Sequence, residues 1–80
     1  MTGASFQVLI TTPSHILFQG TAGSMIVPGE QGTFEILPLH RPLVSRLLEG
    51  EITVDQRAFA IRRGVIRIAD DVVTAIVELP

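Results

Sequence analysis

Turn-forming residues punctuate this chain at intervals shorter than an ordinary globular helix, and that spacing restricts it to strands. Thr12-Pro13-Ser14, Gly20, Pro28-Gly29, Gly32, Pro38, Pro42, Gly50, Asp55-Gln56, Gly64 and Asp70-Asp71 divide the 80 residues into short segments rich in valine, isoleucine and phenylalanine. Glycine, proline and aspartate break regular structure, and β-branched residues favour the pleated backbone, so the pattern predicts an all-β sandwich or barrel. The fold class expected is a small antiparallel β-sandwich or flattened barrel of about 8–10 short strands.

Period-two alternation assigns faces within these segments. Phe6, Val8 and Ile10 share one face of 6–11; Ile16 and Phe18 share one face of the segment around them. Further strands are expected over 23–27 and 33–37. Leu43 to Leu48 fits either a strand or one helical turn. Ile52 and Val54 lie together, as do Phe59 and Ile61, Ile66 and Ile68, and Val73, Ala75 and Val77. The last four segments are joined by Gln56, Arg63-Gly64 and Asp70-Asp71, links short enough to imply an antiparallel meander.

Composition removes several function classes. Hydrophobic residues are 46% and charged residues 18%, which argues against a disordered chain. No apolar run is long enough for a transmembrane helix, and the first residues lack the basic and apolar regions of a signal peptide. With no cysteine, disulfides, thiolate metal sites and a cysteine nucleophile drop out. All six basic residues are arginine, against eight acidic residues, and the pI is about 5.5. Without a basic stripe, tryptophan or tyrosine, nucleic-acid binding is not expected. Mean hydropathy of +0.45 is high for a small domain, so some apolar groups should form a patch that another chain covers.

The residues offer little chemistry. His15 and His40 lack the spacing of a zinc pair, and both read as surface or packing histidines. Ser14-His15 does not make a triad, because adjacent strand residues point to opposite faces. Asp70-Asp71 reads as a solvated hairpin turn. Gly29-Glu30-Gln31-Gly32 lacks the lysine and the helix of a phosphate-binding loop. Arg62-Arg63 reads as a solvated strand edge, or alternatively as an ion-pairing site for a partner. No catalytic, cofactor-binding or metal site is expected. Two readings of other classes remain open: a small β-barrel module binding a ligand or peptide, and an enzyme using His15 or His40.

Thr12-Pro13, Phe18-Gln19-Gly20, Val27-Pro28-Gly29, Gly32, Ile36-Leu37-Pro38, His40, Pro42-Leu43 and Gly50, taken jointly with their spacing, resemble the N-terminal β-sandwich of the epsilon subunit of F-type ATP synthases, called delta in mitochondria. The resemblance runs nearly the length of the chain, so residues 1–80 are expected to be that domain, without the helical hairpin that commonly follows it. Glu35, Leu39 and Arg63 stand where the family has glycine. A positive φ at Leu39 would strain its loop.

The resemblance implies a noncatalytic central-rotor subunit that bridges the gamma subunit and the c-ring and couples ion translocation to ATP synthesis and hydrolysis. It implies a peripheral position on the cytoplasmic face of the bacterial inner membrane, with no direct membrane insertion and no cofactor. By position it assigns Gly29, Glu30, Gln31, Gly32 and Thr33 to the c-ring contact, and His40, Arg41, Pro42 and Leu43 to the gamma contact.

Overall fold

Alternation of branched apolar and polar residues sends every second side chain toward a shared interior. Nine segments use it as strands in the computed structural model, which describes residues 4–80. They are β1 (Phe6–Thr11), β2 (Ile16–Ala22), β3 (Met25–Gly29), β4 (Gly32–Ile36), β5 (Leu43–Leu47), β6 (Gly50–Val54), β7 (Arg57–Ile61), β8 (Arg63–Ala69) and β9 (Val72–Glu78). The segment at 43–47, ambiguous by periodicity, is a strand.

The strands form one curled sheet in the order β2-β1-β9-β8-β5-β3-β6-β7, with β4 on the free side of β3. The chain turns a corner between β5 and β6, and β3 touches both: Gly29 pairs with Leu47, and Met25 with Val54. The Leu48 N–H donates to the Pro28 carbonyl at 2.8 Å across this corner. One leaflet is therefore β2-β1-β9-β8-β5 and the other is β4-β3-β6-β7. Phe18 on β2 meets Phe59 on β7 edge-on, with centroids 6.0 Å apart, where no backbone pairing closes the curl. The Arg57 guanidinium lies 5.5 Å from the Phe18 centroid and 5.2 Å from that of Phe59, covering this aromatic seam with a cation.

Both leaflets fill the interior. Phe6, Val8 and Ile10 enter from β1, Met25 and Val27 from β3, Ile52 and Val54 from β6, Ile66 and Ile68 from β8, and Val73, Ala75 and Val77 from β9. The faces on β1, β6, β8 and β9 are those that alternation assigned; the inward pair on β3 had no face assigned. Among the described residues no polar side chain is buried, so the core needs no hydrogen-bonding partners. Ile16 differs from expectation: it lies on the outer face, 61% exposed, beyond a register shift between Ile10 and Thr11.

Hairpins follow their turn chemistry. Asp70 (φ 54) and Asp71 (φ 59) both take the left-handed conformation that a two-residue link requires to match the strand twist. Asp55 (φ 51) opens the β6–β7 link, and its Oδ1 accepts the Gly23 and Ser24 N–H groups at 3.1 Å each. That carboxylate ties the β2–β3 turn to the β6–β7 turn.

One step departs from the antiparallel meander expected of the last four segments, and one pairing departs from an all-antiparallel sheet. β7 and β8 do not pair; Arg62 alone separates them, too short for a hairpin, and its N–H donates to the Glu78 carbonyl at 2.8 Å as the chain passes between leaflets. Arg63 and Gly64 belong to β8 rather than to a turn, opposite Glu78 and Val77. β1 and β9 run parallel, not antiparallel. They lie near opposite ends of the chain, so no short link dictates their relative direction.

Candidate functional site

Glu30 and Gln31 link β3 to β4, with Gly29 opposite Gly32. Their own φ values are ordinary, and Gly32 completes the reversal at φ 121. Glu30, Gln31, Gly32 and Thr33 are exposed, whereas Gly29 is buried. A Cβ at Gly29 would lie 2.6 Å from the Phe34 ring, so glycine there is what allows the ring to lie across the β3 backbone.

On its other side Phe34 approaches His40, with ring centroids 6.4 Å apart. His40 is half-buried, and its Nδ1 is 2.7 Å from the Arg41 carbonyl. Arg41 and Pro42 are exposed, and Leu43 enters β5 half-buried opposite Ile68. The two segments assigned by resemblance, 29–33 and 40–43, thus meet around Phe34. A hollow of about 380 Å³ lies between them, lined by Glu30, Gln31, Gly32, Thr33, Phe34, Leu43, Val44 and Ser45.

Leu39 precedes this group with φ 67. For a non-glycine residue that conformation costs about 1–2 kcal/mol. Its N–H donates to the Asp71 Oδ1 at 2.7 Å, and the His40 N–H donates to the Leu37 carbonyl at 3.2 Å. The condition stated for Leu39 is met. Asp71 forms the expected hairpin turn and in addition clasps a loop from another part of the chain. Glu35 sits within β4, and Arg63 is paired within β8, so neither needs a glycine conformation.

Elsewhere, Thr12 Oγ1 accepts the Ser14 and His15 N–H groups at 3.1 and 2.9 Å, and the exposed His15 ends a side-chain-capped turn. Among the described residues, no group of three or more His, Asp or Glu gathers into a metal-binding arrangement. Arg63 pairs within the molecule, Nε to Glu78 Oε2 at 3.1 Å, with both side chains more than half exposed. The branched interior occupies the space that a barrel-type ligand module would need for a ligand.

The outer face of the five-stranded leaflet presents the larger candidate surface. Strand register aligns Arg46, Val65, Ile76, Thr11 and Ile16 in one row across β5, β8, β9, β1 and β2. Val65, Ile76 and Ile16 are all exposed there, and Val44 and Leu48 add exposed apolar groups along β5 and at its end. A shallow groove of about 750 Å³, bounded by Pro13, Arg46, Leu48, Val65, Ile76 and Glu78, runs over this face. Mean hydropathy predicts an apolar patch but not its place, because the same alternation describes a leaflet whether or not its outer side is wet.

A two-leaflet sandwich with an apolar interior and an apolar row on one outer face defines a small β-sandwich domain. The profile of the ATP synthase delta/epsilon chain β-sandwich domain matches residues 5–79, and this chain belongs to that family. It is 35% identical over 74 residues to an ATP synthase epsilon chain from Nitratiruptor, covering 86% of this chain and 57% of that one. It is 30% identical over 82 residues to an epsilon chain from Leptospira interrogans, covering 98% of this chain and 65% of the relative. The chain therefore spans less than two thirds of the length of these relatives. In solved structures its fold resembles a chain of the Euglena gracilis mitochondrial ATP synthase (TM-score 0.85, 18% identity, 94% of this chain and 51% of that one). It also resembles a chain of the Tetrahymena thermophila mitochondrial ATP synthase central stalk and c-ring (TM-score 0.73, 14% identity, 90% and 62%).

Proposed function

We propose that this chain is a noncatalytic central-rotor component of an F-type ATP synthase, bridging the gamma subunit and the c-ring. The observation that carries the reading is the exposed apolar row of the five-stranded leaflet on a sandwich whose interior is already full. Such a surface is stable in water only at a cost that a partner removes. The body measures 39 × 26 × 20 Å, so its broad face projects about 1,000 Å², enough for the roughly 800 Å² per partner of a stable interface.

In this reading gamma covers that face and continues over Val44 onto Leu43, Pro42, Arg41 and His40. Gly29, Glu30, Gln31, Gly32 and Thr33 meet the polar loops of the c-ring. Acid, amide and hydroxyl groups on a glycine-hinged turn suit polar, water-accessible contacts. The sandwich transmits rotation as a stiff spacer, coupling ion translocation to ATP synthesis and hydrolysis. It sits peripherally in the complex, on the cytoplasmic face of a bacterial inner membrane. The names and bacterial sources of the epsilon-chain relatives support this assignment.

Co-expression with the gamma subunit of the same organism tests it. The two chains should co-purify, and Ile76→Glu, on an exposed outer position, should abolish the complex while the sandwich stays folded. Failure of the unaltered chains to associate at micromolar concentration overturns the proposal.

A further inference from the structure

Leu39 is disfavoured twice over where it stands. Its φ of 67 belongs to the region glycine and asparagine enter most readily, and its side chain is 84% exposed. Burial within this molecule does not compensate for either feature. Yet the loop is built to hold it out. Pro38 and Pro42 restrict the backbone on both sides, and the Asp71 carboxylate accepts the Leu39 N–H at 2.7 Å from a turn 32 residues away in sequence. The exposed Leu37 and Arg41 flank it, and among the described residues Arg41 makes no ion pair.

A strained residue persists where the surroundings over-determine it, and such positions cluster at binding sites. We propose that Leu39 is the anchor residue of the gamma contact: a pre-positioned apolar knob that enters an apolar socket on gamma, with Arg41 meeting a carboxylate at the rim of that socket. The proposal rests on the gamma-binding reading and extends its 40–43 contact to a residue not assigned there. The surface around the knob carries both signs, with the Arg41 guanidinium suited to a partner carboxylate and the Asp70 and Asp71 carboxylates beside it suited to a partner cation. The clasp and the prolines hold the knob in place before docking, so little freedom is lost when it engages.

The test measures binding of the purified gamma subunit to the intact chain, alongside Leu39→Asn and Leu39→Met, with thermal unfolding of each. Asparagine accepts the left-handed backbone but removes the apolar group; methionine keeps an apolar side chain of similar volume. Leu39→Asn should raise the unfolding midpoint and weaken gamma binding by about tenfold or more, the scale of losing one buried leucine. Leu39→Met should bind within about threefold of the unaltered chain. Binding by Leu39→Asn at full strength overturns the anchor while leaving the gamma-binding reading intact, and so does loss of binding by Leu39→Met. A lowered midpoint for Leu39→Asn overturns the claim of relieved strain. Absence of gamma binding by the unaltered chain overturns both readings.

Discussion

Gly64→Ala sets two physical effects of opposite sign against each other, and the geometry decides between them. Glycine within a strand is ordinarily a weakness; alanine restricts the unfolded chain and favours folding by about 0.5–1 kcal/mol. Here a Cβ would stand 2.6 Å from the Ile76 carbonyl oxygen, 2.9 Å from Val77 Cγ1 and 3.1 Å from Val77 Cα. Two of these three atoms are backbone. β8 is flanked by β5 and β9, with Gly64 opposite Leu47 on one side and Val77 on the other, so it cannot retreat without spoiling a second ladder. Overpacking costs about 1–3 kcal/mol, and a backbone obstacle places this site toward the upper end. The net expectation is a loss of about 1–2 kcal/mol.

For a domain of this size that loss lowers the melting temperature by roughly 5–15 °C, read by circular dichroism. Gly32→Ala is the comparison: its Cβ would meet nothing within 4 Å, and only the φ of 121 opposes it. Val77→Ala removes one of the three crowded atoms. In a double-mutant cycle it should offset part of the Gly64→Ala loss, with a coupling of about 0.5–1 kcal/mol. A neutral or stabilised Gly64→Ala protein would refute the reasoning, since it would show that the strand yields where its paired neighbours are argued to prevent it.

Three further outcomes are expected. Asp55→Ala removes the one oxygen that accepts two N–H groups and leaves alanine at φ 51, costing about 1–3 kcal/mol in urea unfolding, with faster hydrogen exchange at Gly23 and Ser24. Glu78→Gln breaks the exposed Arg63 pair and should move stability by no more than about 0.5 kcal/mol in the same assay. Ile66→Ala empties part of the buried core and should cost about 2–5 kcal/mol, visible as a lower urea midpoint at unchanged slope.

The local architecture is legible because strand alternation is a nearest-neighbour property. Val73, Ala75 and Val77 announce an inward face without reference to any other strand, and Asp70-Asp71 announces a turn from its own chemistry. What a single strand does not announce is everything carried by residues remote in sequence. The unpaired β7–β8 step depends on β8 finding β5 and β9. The parallel β1–β9 pairing joins segments that no short link orients. Asp71 acts on Leu39 only once the loop and the turn are side by side, and an acidic pair at a hairpin tip gives no sign of that in one dimension. Phe34 is a missed member of the candidate site for the same reason. Its only local signal is an aromatic residue two positions after Gly32, while its role comes from lying over Gly29 and against His40. The proposed contact segments themselves came from family resemblance, because exposed turn residues lack a periodic pattern that would mark them.

The Phe34 arrangement bears on how such a domain would transmit force in the proposed role. Gly29 leaves the ring room to cross the β3 backbone, and the ring's other neighbour is His40, whose Nδ1 lies against the Arg41 carbonyl. The segment proposed for the ring of c subunits and the segment proposed for gamma therefore share one half-buried aromatic support. They do not rest on separate flexible loops. Close-packed interiors resist compression, and here the support stands on a core without buried polar groups among the described residues. Phe34 lies over Gly29 at the start of one segment, and its ring centroid is 6.4 Å from that of His40 at the start of the other. Loop length alone would suggest two separate segments; the packing sets them side by side around Phe34. In the proposed role, a noncatalytic coupler would draw on that shared support rather than on chemistry of its own.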